Sequence, residues 1–176
     1  MRVTLALGEN HESLGKHRSW GFGRVEKVQL PDGTIAARKV FGPSNEALSV
    51  SSREKLKKRF EREVRVQKSL PSELFIPIID SDLASAEAWF TMPLAERTLE
   101  PEIVESRLQK ATLTRAIADL LNALDYLHGL GYTHRDVEPQ NGLLHQGTWK
   151  LCDFGLVTSA IGESTAFTSV SLGFFR

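Results

Sequence analysis

The sequence predicts an α+β fold, with a strand-rich first half carrying one helix and a mainly helical second half. Three observations lead there. Residues 20–41 have strand character on both sides of a Pro-Asp-Gly turn. Residues 51–70 repeat apolar side chains at a spacing of about 3.6. Residues 112–128 do so again, beyond a change of organisation near 93–98.

Taking the elements in order, WGFGRVEKVQLPDGTIAARKVF folds back at Pro31-Asp32-Gly33 as a hairpin. Its second strand places Ile35, Ala37 and Lys39 on one face. In the 51–70 helix, Ser51 with Glu54 three residues later makes a capping-box pattern. Leu56, Phe60, Glu63, Gln67 and Leu70 then share a face. Seven residues is nearly two whole turns, so Glu63 falls below Leu56 on the inward side while Glu61 turns away. A carboxylate on a buried stripe needs a partner. The eight Lys and Arg from Arg53 to Lys68 read as a solvated helix surface.

Residues 74–80 and 88–94 are apolar enough for two further strands, the second ended or placed at an edge by Pro93. The 112–128 helix has Leu113, Ile117, Leu120, Leu121, Leu124 and Leu127 as its core stripe, and Gly129 and Gly131 stop it. Short strands follow around 142–145 and 148–151, and the Ser/Thr-rich tail from Thr158 reads as a loop.

Composition narrows the function. The 22 Lys+Arg balance 22 Asp+Glu, which gives no reason to expect nucleic acid or an anionic membrane as partner. Apolar residues at 41% suit a globular chain with a real core, and no stretch approaches the roughly 20 apolar residues of a membrane span. The start of the chain lacks the apolar core of a signal peptide. The single cysteine, Cys152, excludes an internal disulfide and fits a reducing compartment, so a cytoplasmic location is expected.

The chemistry concentrates in His134-Arg135-Asp136, with Asn141 five residues after the aspartate, and in Asp153-Phe154-Gly155 twelve residues beyond that asparagine. Phosphoryl transfer needs a carboxylate to orient the attacking hydroxyl and oxygen ligands to hold magnesium on the phosphates. Asp136, Asn141 and Asp153 supply that set. With these motifs, in this order after a long apolar helix, the chain resembles the protein kinase family.

The resemblance implies a protein-kinase-like fold. Residues 1–13 would be an N-terminal extension, 14–92 an N-lobe with one αC-type helix, 93–98 a hinge, and 99–176 a partial C-lobe ending in the activation segment. It implies ATP and Mg2+ as cofactors, Asp136 as base, Lys39 paired with Glu63 as phosphate clamp, and Asn141 and Asp153 as metal ligands. Gly21, Gly23, Val25, Ala37, Met92, Pro93, Ala95 and Leu143 would surround the nucleotide. Arg135 would await a phosphorylated residue of the Thr158–Ser171 segment, with Thr165 and Thr168 as regulatory candidates. Pro139-Gln140-Asn141 resembles the Ser/Thr-directed branch, so a protein substrate, or a protein partner completing the domain, is expected.

Three departures qualify this. Of the family's three loop glycines only the last, Gly23, is present, with Gly21 beside it. Glycine is used there so that backbone N–H groups approach phosphates closely. Glu138 stands where Ser/Thr kinases usually carry lysine. A charge pair at 4 Å and an effective dielectric of about 20 is worth roughly 4 kcal/mol, so this reversal would slow transfer by several powers of ten. Glu138 is expected either in solvent or paired with Arg135 or Lys150. The family's remaining helices would follow Arg176, and without them the 112–128 stripe would leave an exposed patch. These departures support an alternative, a non-catalytic pseudokinase serving as a binding or scaffold module.

Overall fold

The hairpin at Pro31-Asp32-Gly33 is the centre of a five-stranded antiparallel sheet. The computed structural model describes residues 12–20, as backbone, and residues 23–42, 49–104 and 109–159. The sheet comprises β1 (Glu12–Trp20), β2 (Gly23–Gln29), β3 (Ile35–Phe41), β4 (Asp80–Asp82) and β5 (Trp89–Pro93), in the order β1-β2-β3-β5-β4. The β2–β3 turn closes through Gly33 N–H to Leu30 C=O at 2.9 Å and Thr34 N–H to Asp32 Oδ1 at 2.8 Å. Gly33 has φ +86°, which glycine adopts without a Cβ penalty.

Both faces of β3 are covered: Ala36 and Val40 are buried on one side, Ala37 and Lys39 on the other. Helix α1 (Val50–Lys68) packs Phe60 and Val64 with Phe41, Ala88 and Phe90. Its expected inward face is correct, since Phe60, Glu63, Gln67 and Leu70 are all buried. Its cap is not the one expected. Ser49 is the N-cap and accepts from Ser52 N–H at 3.2 Å, while Glu54 pairs with Lys58 one turn on at 3.3 Å. Two neighbouring serines offer equivalent hydroxyls, and the chain's path into the helix selects between them.

The strand expected over 74–80 is absent but for its last residue, Asp80, which opens β4. Pro77 lacks an N–H and interrupts any ladder there. Phe75 instead makes one parallel bridge to Leu151, and the Gln67 amide donates to Ile76 C=O at 2.7 Å, fastening the segment to α1.

Past β5, which ends at Pro93 as expected, come β6 (Arg97–Thr98), the short α2 (Leu99–Val104) and α3 (Lys110–Gly129). They are followed by β7 (Tyr132–Thr133), β8 (Gly142–His145), β9 (Thr148–Leu151) and β10 (Thr158–Ser159). A three-stranded sheet runs β6-β8-β9, and β7 pairs with β10. The buried stripe of α3 is centred on Ala116, Ala123 and Leu127, with Leu113, Leu120 and Leu124 partly covered. Ile117 and Leu121, which periodicity placed in the core stripe, are 48% and 58% exposed, an apolar patch of the kind expected on this helix. Ala116 packs with Trp149, Leu144 and Leu99, and Ala123 with Phe75, Leu127 and Phe154; with those positions inward, the two larger side chains face outward. No helix among the described residues is long and apolar enough to cross a membrane.

Candidate active site

Lys39 sits mid-strand in β3, across from Val25 on β2 and Phe90 on β5. Its stem is buried and its ammonium emerges against α1. Nζ donates to Glu63 Oε1 at 2.6 Å and to Asp153 Oδ1 at 3.2 Å. The three residues are far apart in sequence, Lys39 and Asp153 by 114 positions. Glu63 is 3% exposed, so the carboxylate that the helix phase turned inward has a partner as required. Burial pulls the Lys39 ammonium down, but the Glu63 and Asp153 carboxylates outweigh it, and Lys39 remains a cation through neutral pH. Burial pushes Glu63 up to about 7 against the pull of Lys39.

Asp153 is aimed by its successor. Phe154 is fully buried among Val66, Leu70, Phe75, Leu127 and Leu151, edge-on to Phe75 at 5.7 Å and to His134 at 5.1 Å. With that ring anchored, the backbone passes through φ +63° at Asp153, and Gly155 N–H donates back to Asp153 Oδ1 at 3.3 Å. Arg135, at φ +67°, is the other site residue in the left-handed region. Non-glycine residues hold that conformation where surrounding structure imposes it. His134 is buried, with Nε2 donating to Cys152 C=O at 3.1 Å, and burial lowers its pKa so that the imidazole is neutral.

Between β7 and β8 the chain makes one 3-10 turn, Pro139–Asn141. Asn141 is buried, and its Nδ2 donates to Asp136 C=O at 2.9 Å and to Asp136 Oδ2 at 3.3 Å. Its backbone carbonyl accepts from Cys152 N–H at 3.0 Å, tying this turn to the residue before Asp153. Lys39, Glu63, Asp136 and Asp153 thus line one cleft of about 200 Å3 with Phe41, Phe60 and Arg59. Asp153 presents a hard oxygen donor to this cleft, and Asn141, which adjoins Asp136 without lining the cleft, carries a second in its amide oxygen. No cluster of three His, Cys, Asp or Glu side chains suited to a metal occurs among the described residues. That donor set fits magnesium, which takes one or two carboxylates and fills its remaining positions with water and phosphate oxygens.

On the apolar side, Leu143 and Cys152 pack with Ile76, and Met92 and Ala95 lie against them. Ala37 is the register partner of Met92, and Pro93 that of Ala36. Ala37, Met92, Ala95 and Leu143 therefore line the same region, and Val25 is partly buried beside Lys39 on β2. Gly23 opens β2 opposite Trp20. Gly21, Thr165 and Thr168 lie outside the described residues.

Glu138 is exposed, and its carboxylate accepts from the Gln140 amide. The expected pairings with Arg135 or Lys150 do not form. Lys150 is buried and donates to Ser72 C=O, while Arg135 lines a separate cleft with Arg59, Arg62 and residues 155–158. Arg59 and Arg62 belong to the run read as plain solvated surface; their place in the turns flanking Glu63 was the signal that they face the site. Cys152 and Ile76 were also missed, since an apolar residue's place beneath a cleft leaves no local pattern.

The cleft thus gathers a lysine, a glutamate and two aspartates from distant parts of the chain. The protein kinase domain model matches residues 11–174, and the chain belongs to that family. Among similar proteins are mitogen-activated protein kinases HOG1 of Cochliobolus heterostrophus and Exserohilum turcicum. The first is 28% identical over 171 residues, covering 95% of this chain and 46% of the relative. The second is 29% identical over 152 residues, covering 84% of this chain and 44% of the relative. The chain thus spans less than half the length of these relatives.

Proposed function

We propose that this chain is the ATP- and magnesium-dependent phosphoryl-transfer unit of a protein kinase acting on Ser/Thr hydroxyls of protein substrates. Residues 14–92 serve as the N-lobe, 93–98 as the hinge and 99–176 as the start of the C-lobe, in a cytoplasmic protein. The observation that carries this is Lys39 Nζ, 2.6 Å from Glu63 and 3.2 Å from Asp153. That geometry holds a cation where triphosphate oxygens would bind, with Glu63 keeping it in place. Val25, Ala37, Met92, Leu143 and the backbone of Pro93 and Ala95 take the adenine, with Gly21 and Gly23 at the phosphates.

Asn141 and Asp153 would hold magnesium, which supplies neutralisation of phosphate charge when bound. Asp136 is partly exposed, and its Oδ2 is fixed by Asn141. It orients the substrate hydroxyl and takes its proton as the new O–P bond forms and the bridging P–O bond of ATP breaks, ADP leaving with the electron pair. Arg135, with Arg59 and Arg62 beside it, receives a phosphate placed on the segment after Thr158, Thr165 and Thr168 being the candidates.

A second reading, nucleotide binding without transfer, rests on Glu138. Its exposure screens the charge, so its retarding effect falls below that of a buried pair. Melts with Mg-ATP and transfer of labelled phosphate to Ser/Thr peptides separate the two. An upward melting shift with transfer that Asp136→Asn abolishes supports the kinase reading. A shift without transfer supports the second, and a cooperative melt that Mg-ATP leaves unmoved sinks both.

A further inference from the structure

We infer that Glu138 is a specificity residue that makes phosphoryl transfer depend on a cation brought by the substrate, selecting a Ser or Thr with an arginine within two or three residues. The inference rests on the kinase reading above. Residues 137–140 are consecutively exposed, and Val137 is 54% exposed, so they form an open rim immediately after Asp136. A hydroxyl-bearing peptide reaching Asp136 passes over that rim.

The Glu138 carboxylate is held in place rather than loose. Its backbone carbonyl accepts from Asn141 N–H at 2.9 Å, its side chain accepts from the Gln140 amide, and Asn141 in turn binds Asp136. Glu138 therefore moves with the catalytic turn. Among the described residues it forms no ion pair. Lys150 donates instead to the Ser72 carbonyl and Lys39 to Glu63 and Asp153, while Arg135 lines a different cleft.

Two consequences follow from placing phosphate here. The transferring group and the rim carboxylate repel each other, and an acidic peptide adds to that repulsion, so such peptides are rejected. An arginine on the peptide pairs with Glu138 in a charge-assisted, bidentate contact and cancels the repulsion as the hydroxyl is delivered. The planar guanidinium favours arginine over lysine at such a contact. The bonds made and broken are unchanged: the peptide oxygen gains the phosphoryl group, ADP leaves, and Asp136 takes the proton.

The test uses the whole chain with Mg-ATP and neutral Ser/Thr peptides in which one arginine is scanned from three residues before to three after the hydroxyl. One arginine position is expected to raise kcat/KM at least tenfold over the all-neutral peptide. Glu138→Gln should remove that preference and Glu138→Lys should invert it, while Asp125→Lys, on the exposed side of α3, leaves it intact. Transfer with no arginine preference, or a preference that survives Glu138→Gln, overturns the inference. Transfer by Glu138→Lys alone also overturns it and leaves the kinase reading standing. No transfer by any form, with binding of Mg-ATP retained, removes the kinase reading and this inference with it.

Discussion

Removing Glu63 tests the centre of the site. Lys39 is 6% exposed and pairs with Glu63 at 2.6 Å and with the better-solvated Asp153 at 3.2 Å. Removing one partner of a buried ion pair costs about 3–5 kcal/mol, because the other charge stays buried. Asp153 remains as a second acceptor, so Glu63→Ala is expected to cost about 2–3 kcal/mol. For a chain of this size each kcal/mol lowers Tm by roughly 2–4 °C, giving a loss on the order of 5–10 °C.

The double variant Lys39→Met/Glu63→Leu removes both charges and puts apolar groups beside Phe60 and Phe90. It should melt within about 1 kcal/mol of the parent, since apolar replacements of buried pairs are often neutral. Glu61→Ala, one position from any inward phase, should stay within about 0.5 kcal/mol. The assay is thermal melting by circular dichroism at pH 8, above the value of about 7 to which burial raises Glu63. Additive losses in the double variant would refute the argument, because they would mean that the two side chains contribute independently.

The same carboxylate sets a pH dependence. Its folded pKa of about 7 lies above its ordinary 4.5, so the folded chain retains a proton that the unfolded chain releases. Stability from this group is therefore present at low pH and lost as pH rises from about 4.5 to 7, by up to about 3 kcal/mol. Melts from pH 5 to 8 should be flatter in Glu63→Gln, and an identical slope would contradict this. Gln67→Leu should cost about 1–3 kcal/mol by leaving the Ile76 carbonyl without its donor; urea titration reads it, and a change under 0.5 would dismiss that bond as an anchor. At Gly155 an added Cβ would lie 3.2 Å from Asp153 Oδ1 and 3.6 Å from Glu63 Oε2. Gly155→Ala should thus weaken Mg-ATP binding about tenfold with little change in the melt of the free chain, and calorimetric titration would decide it. Phe154→Ala should cost about 3–5 kcal/mol, since the ring is fully buried; a loss below 1 would mean that it does not anchor Asp153.

Much of this site was readable before any fold was known. The hairpin followed from a turn that needs glycine at Gly33, and the inward aim of Glu63 followed from helical phase, which is set within two turns of chain. The spacing from Asp136 to Asn141 and on to Asp153 told which oxygens could gather. Where expectation failed, the deciding contact was remote. Ser49 rather than Ser51 caps α1 because of how the chain enters the helix. Residues 74–79 form no strand because Pro77 breaks the ladder and Gln67, from another element, holds the segment. Ile117 and Leu121 face outward because Ala116 and Ala123, which periodicity weighs lightly, take the inward positions in two separate clusters.

The sequence by itself determined which donors and carboxylates stand at which local spacings and which of them share a face, since side-chain directions repeat every 3.6 or 2 residues. Only the tertiary structure decided that Lys39 meets Asp153 across 114 residues, that Arg59 and Arg62 join Arg135, and that Glu138 is held by Gln140 rather than by a cation. Those outcomes depend on how the buried Phe154, Phe75 and Leu127 pack, and packing is a property of surfaces that sequence order does not bring together.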